Sequence, residues 1–258
     1  MDILSYNRQA WDKEAGKGNP WTIPVTPEAV AKARSGDWSL LLTPQKPVPK
    51  DWFPPLKGAR VLGLASGGGQ QGPILAAAGA AVTVLDNSPA QLGVDRMVAR
   101  REGLSLDAVQ GDMADLSRFE DSTFDLVFHP CSNCFAPDVK PVWREAFRVL
   151  KRGGVLLSGM ANPVVFLVDP DLESRGVVQL KYRMPYSDLH SLSDEERRRY
   201  TDKDDPLVFA HSLEDQVGGQ LQAGFVLTGL YEDAWEESRG AIQGYLSCYL
   251  ATRALKVQ

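Results

Sequence analysis

The residues best suited to chemistry in this chain are three glycines and an aspartate. Gly67, Gly69 and Gly72 stand in the run Ser66-Gly67-Gly68-Gly69-Gln70-Gln71-Gly72, a GxGxxG spacing, and Asp86 follows about twenty residues on. Glycines admit positive φ and let a ligand lie against bare backbone, while a carboxylate at the end of the next strand can take both hydroxyls of a ribose. Asp112 and His129 close two later apolar runs. His129 has two readings, a general base or a neutral histidine that holds its loop by hydrogen bonds. Cys131-Ser132-Asn133-Cys134 is a CxxC, with Cys248 far off. A structural zinc site usually shows a second close pair, and a redox pair sits in a thioredoxin-like βαβ context. The plainer reading is a loop of small polar residues lining a pocket, and no metal is expected.

The flanking sequence supplies elements that would hold these residues at one edge of a sheet. Residues 60–65 are a short apolar run, the glycine turn follows, and Pro73 suits a helix start, where its missing N–H costs little. Residues 81–85 read as the next strand and end in Asp86. A helix over 89–102, capped by Ser88 and stopped by Gly103, precedes strands over 106–109 and 124–128. Val142, Trp143, Ala146, Phe147 and Leu150 recur at helical spacing, and 155–160 is a fifth strand. Alternating strand and helix imply a parallel sheet with helices on both faces, whose carboxyl edge is where ligands bind. Two cofactors suit that edge, a nicotinamide dinucleotide and S-adenosylmethionine, and the glycine loop alone does not separate them.

Five stretches in order point to the second. They are Val61-Leu62-Gly63-Leu64-Ala65-Ser66-Gly67-Gly68-Gly69, Val82-Thr83-Val84-Leu85-Asp86-Asn87-Ser88-Pro89, Gln110-Gly111-Asp112-Met113-Ala114-Asp115-Leu116, Thr123-Phe124-Asp125-Leu126-Val127-Phe128, and the run from Trp143 to Gly154. Residues 61–154 thereby resemble a class I S-adenosylmethionine-dependent methyltransferase. The resemblance implies that Ala65, Ser66, Gly67 and Gly69 cradle the methionine portion and that Asp86, with Asn87 and Gln91 close by, takes the ribose. It also implies that Asp112 accepts from the adenine amino group, that Met113 packs on the ring, and that His129 faces the methyl group. Asp112 has a second reading, as the cap of the following turn. Gly63 and Ala65 depart from the family, which usually has an acidic residue and a glycine there. The ammonium contact is then left to backbone carbonyls or water.

Bulk properties bound the partners. A chain of 258 residues can bury one large core with a small cap. Apolar residues at 43% and charged residues at 24% are ordinary for a soluble protein. A net charge of −5 argues against nucleic acid as the main partner, because no basic surplus exists to displace counterions. No apolar run approaches the roughly 18 to 20 residues that span a bilayer, the first residues lack a signal-peptide layout, and the three cysteines make no disulfide framework. A cytoplasmic protein is expected, monomer or homodimer, without nucleic acid or membrane as partner.

Residues 1–55 hold Trp11, Trp21, Trp38, Trp52 and many prolines, with a short helix over 6–13 and another from Pro27 behind Thr26 as cap. They read as a lid, from which Asn7 and Trp11 would reach the cofactor, or else as tryptophans packed on the outside of the core. Residues 161–206 are irregular, with a strand-like alternation over 177–183 and a capping box at Ser193 and Glu196. Ser212 and Asp215 open a further helix with Leu213, Val217 and Leu221 on one face, before strands over 225–230 and 245–255. The expected fold is α/β, a doubly wound, seven-stranded, mostly parallel sheet with an antiparallel last strand, an N-terminal helical lid and a small cap inserted after strand five. It forms one domain divided as 1–55 lid, 56–160 cofactor core, 161–206 cap and 207–258 remainder of the core. The expected activity is methyl transfer from S-adenosylmethionine to a small-molecule acceptor. The alternatives are a nicotinamide-dependent oxidoreductase, which would want a Tyr-x-x-x-Lys proton donor that the chain lacks after strand four, and a non-catalytic nucleoside-binding protein.

Overall fold

Short runs of Val, Leu, Ile and Phe between glycine turns form the sheet, because residues of this kind pack well when both faces of a strand are covered. A computed structural model describes residues 1–235 and 240–258. Its strands are Arg60–Leu64 (β1), Ala81–Asp86 (β2), Leu106–Gln110 (β3), Phe124–His129 (β4), Leu150–Ala161 (β5), Tyr186–Ser187 (β6), Phe209–Ala210 (β7), Val226–Asp233 (β8) and Tyr249–Leu255 (β9). Seven of them make one sheet in the order β3-β2-β1-β4-β5-β9-β8, and β6 pairs with β7 apart from it. β1 to β5 are mutually parallel, and β9 runs antiparallel to both β5 and β8. This is the expected doubly wound sheet with its antiparallel last strand. Chain order reverses direction between β1 and β4, which opens a crevice at their carboxyl ends.

Alternation within β1 divides the core. Val61 faces a cluster with Leu75, Val84, Leu92, Phe128 and Leu157, under the helices Pro27–Arg34 (α2), Gln71–Ala77 (α3) and Pro89–Glu102 (α4). Leu62 and Leu64 face the other side, against Val142, Trp143 and Ala146 of Lys140–Val149 (α5). The caps fall where the sequence puts them: Thr26 on α2, Ser88 on α4 with Gly103 as its left-handed stop, and the Ser193 and Glu196 box on Asp194–Thr201.

Several elements differ from expectation: β5 begins at Leu150, a residue expected on α5, and β9 begins at Tyr249, four residues after its expected start. The first helix is longer, Ile3–Lys17 (α1), because Asp2 caps it and Gly18 ends it at φ 72°. Residues 177–183 form no strand; Val177 and Leu180 are 48% and 65% exposed, and a single bridge joins Leu180 to Val168. Alternation there has no neighbouring sheet to bury it. The helix after Ser212 begins with a π turn, Glu214–Gly218, whose wider spacing rotates the inward face. Gln216 and Gln220 are buried, while Leu213 and Leu221 are about half exposed.

Candidate active site

The carboxyl ends of β3, β2, β1, β4 and β5 and the start of β9 open into one cavity of about 1130 Å³, above the roughly 300–1,000 Å³ of ordinary small-molecule sites. The segments around α1, Trp21 and residues 39–44 roof it. Long-range bonds fix this roof. Gln70 Nε2 donates to Pro20 O and Ile23 O at 2.9 and 3.0 Å, and Val25 N donates to Gly69 O at 3.0 Å. Asp12 Oδ1 accepts from Ser88 Oγ and Ala90 N, a second cap on α4. Gly159 lets residue 42 lie directly on β5; a Cβ there would be 2.0 Å from Leu42 O, the atom that accepts from Cys131 N.

The glycine loop is built against two carboxylates. Gly67 N and Ser88 N donate to the two oxygens of Asp86 at 2.9 Å each, and Asp86 borders the cavity. Burial raises its pKa, with the amides of Ser88, Gly67 and Asn87 pulling it back. A Cβ on Gly67 would meet Gln91 Cβ at 2.8 Å and the Asp86 carboxyl at 3.0 Å, so the backbone there must stay bare. Behind the loop, Asp95 Oδ2 accepts from Gly68 N at 3.0 Å. Asp95 has no solvent exposure, its Oδ1 has no hydrogen-bond partner, and burial lifts its pKa to about 7. Nothing in the sequence reading singled it out, although its place among Leu92, Val98 and Ala99 on the apolar face of α4 was a usable signal.

Nine of the eleven expected cofactor residues border the cavity: Trp11, Ala65, Ser66, Gly67, Asp86, Asn87, Gln91, Asp112 and Met113. Ala65 takes the positive φ, 47°, that a glycine usually supplies. The buried Ser66 hydroxyl fills the space beside Gly63, 2.4 Å from where a Cβ would stand, so that no acidic side chain fits there. Ser66 Oγ and Gln91 Oε1 are buried without hydrogen-bond partners. Asp112 Oδ1 accepts from Ala114 N at 2.9 Å, so it caps its turn while also facing the cavity.

Gly69 and His129 are the two expected residues that lie off the cavity lining. Gly69 turns away from the cavity toward Val94, Val98 and Pro24, where its φ of 72° and missing Cβ let α4 approach. His129 is fully buried and off the cavity lining. Its Nδ1 lies 2.8 Å from Leu64 O and its Nε2 bonds the Asn133 side chain, which in turn bonds Gln216. Burial lowers its pKa against the pull of these two contacts, which tie the end of β4 to Leu64 and Asn133. Asn7 borders the cavity, yet its side chain is committed to Leu207 N, Leu207 O and Phe135 O, tying α1 to the segments beside it. The tryptophans divide. Trp11 and Trp21 border the cavity; Trp38 packs on Phe53 and Trp52 on Tyr231, away from it.

A family profile described as a methyltransferase domain matches residues 62–158. The chain is 51% identical over 255 residues to a Bacillus subtilis protein named as an uncharacterised methyltransferase, YbaJ, covering 99% of both chains. It is 39% identical over 102 residues to a sterol 24-C-methyltransferase of Aspergillus fumigatus, a match spanning 38% of this chain and 27% of that enzyme. Among solved structures it resembles an S-adenosylmethionine-dependent methyltransferase from Mesorhizobium loti, with a TM-score of 0.61 at 16% identity over 80% of this chain and 94% of that one.

Proposed function

The chain belongs to the methyltransferases, with S-adenosylmethionine as methyl donor, and from that premise we propose that it methylates a small-molecule acceptor. The observation that carries the acceptor's size is the roof: the cavity lies beneath α1, Trp21 and residues 39–44, which leaves room for a second small molecule but not for a folded macromolecule.

The residues at the β1 and β2 ends suit the donor. In this reading the bare backbone of Gly67 with Ala65 and Ser66 receives the methionine portion, and the unpartnered Ser66 Oγ and Gln91 Oε1 supply acceptors near it. Each Asp86 oxygen already takes one amide and keeps a lone pair for a ribose hydroxyl. Asp112 and Met113 form the adenine end, with Asn87 and Trp11 over the entrance. S-adenosylmethionine, when bound, supplies a methyl group already activated by its sulfonium. The chain's own work is to align the acceptor and exclude water, and ordered approach of this kind can supply roughly 7–11 kcal/mol. His129 supports that work through the β4 loop.

Titration calorimetry with S-adenosylhomocysteine tests the donor half. Asp86→Ala should weaken binding about tenfold to a hundredfold, the worth of charged hydrogen bonds at roughly 1.5–3 kcal/mol; unchanged affinity refutes the assignment of Asp86. Incubating the enzyme with a cell extract and methyl-labelled donor tests the acceptor half. Label should appear in the low-mass fraction, and label confined to protein or nucleic acid overturns the small-molecule reading.

A further inference from the structure

The cavity has two chemically different halves. Over β3, β2 and β1 lie the glycine loop, Asp86 and Asp112; over β4, β5 and β9 lie Pro130, Cys131, Phe135, Val165, Phe166 and Tyr249. At about 4.8 Å per strand, the six strand ends run some 24 Å, enough for two ligands side by side. We infer that the acceptor, on the methyltransferase reading above, is an uncharged and largely apolar molecule seated over the ends of β4, β5 and β9.

Three observations lead there. Among the described residues no lysine, arginine or histidine borders the cavity, and its charged side chains are Asp2, Asp86, Asp112 and Asp138, so apart from the amino terminus at Met1 a carboxylate or phosphate on the acceptor would find no cationic partner and four like charges. A cationic acceptor fares no better, because it would sit beside the donor's sulfonium. Asp138, the carboxylate on the acceptor side, has one oxygen capping its own turn through Lys140 N. The polar groups there are also spent or uncharged: Ser132 Oγ donates to Pro130 O at 2.9 Å, and Tyr249 OH accepts from Trp235 Nε1 at 3.1 Å. Burial pushes the Cys131 thiol up to about 12 and the Cys134 thiol well above its ordinary value, and surroundings that suppress a thiolate suppress a charge on a ligand as well.

The test uses three probes that share one chain and differ in charge: 1-decanol, decanoate and decylammonium, titrated by calorimetry into the full chain saturated with S-adenosylhomocysteine at pH 7.5. Decanol should bind at least tenfold more tightly than either ion. Decanoate or decylammonium binding as well as decanol, or no binding of decanol, overturns the inference. Val165→Lys places a cation in this half and should reverse the order of decanol and decanoate while leaving S-adenosylhomocysteine affinity unchanged. Phe166, half-buried on the same side, provides a second site in Phe166→Lys should the first variant fold poorly. An order unmoved in the folded variant places the probes elsewhere and counts against the inference. Loss of S-adenosylhomocysteine binding by the unaltered chain would instead sink the donor reading, so the two failures are distinguishable.

Discussion

Replacing Asp95 by asparagine isolates the cost of burying a carboxylate beneath the glycine loop. The folded carboxyl holds its proton up to about pH 7, whereas the unfolded chain gives it up near 3.8. Between those values the unfolded state binds fewer protons, so stability falls as pH rises. Applying linkage to that pair of values, the unaltered protein loses about 2–3 kcal/mol through this site between pH 5 and pH 8. Asparagine does not ionise, and its Oδ1 can still accept from Gly68 N. The amide leaves a donor where Asp95 Oδ1 has no partner, a cost of about 1–3 kcal/mol that does not change with pH. The diagnostic quantity is therefore the change in the difference between variant and parent. At about 2–4 °C per kcal/mol for a chain of this size, the melting temperature of Asp95→Asn relative to the parent should rise by about 5–10 °C between pH 5 and pH 8. Thermal unfolding followed by circular dichroism at the two pH values measures it. A difference that stays constant with pH refutes the reasoning and shows that Asp95 titrates alike in both states.

Three further outcomes follow from the same geometry. Gly159→Ala drives a methyl into Leu42 O, and overpacking against backbone should cost about 1–3 kcal/mol or more in denaturant unfolding; a silent substitution would show that residues 39–44 do not lie on β5. Asp12→Ala removes the second cap of α4 and should cost about 0.5–2 kcal/mol, read as a shift in urea midpoint at constant slope. His129 is held neutral by burial, so below its ordinary pKa the unfolded chain gains a proton that the folded chain refuses, and stability falls with acid. In the Asp95→Asn background, His129→Gln should lessen the loss between pH 7 and pH 5 by at most about 2 kcal/mol, and an unaltered acid limb would mean that His129 protonates in place.

Local patterns along the chain set the sheet and the β1 and β2 side of the cavity. Strand and helix periods, the caps at Thr26, Ser88 and Ser193, the turn at Gly67 and the carboxylate at Asp86 are local, set by residues a few positions apart, so their geometry follows from neighbours along the chain. Contacts between distant segments settled the rest. Asn7 was free to face a cofactor until Leu207, two hundred residues away, took its amide. His129 stood at the right strand end for a base, but Leu64 O and Asn133 claimed both ring nitrogens. Trp11 and Trp21 came to border the cavity and Trp38 and Trp52 to leave it, though all four look alike in sequence. Even the buried carboxyl at Asp95 is buried only because the glycine loop folds back over α4. Periodicity and turn chemistry act over a few residues, whereas burial and hydrogen-bond satisfaction are properties of the packed whole, and these fixed which candidate side chains remained free to meet a ligand.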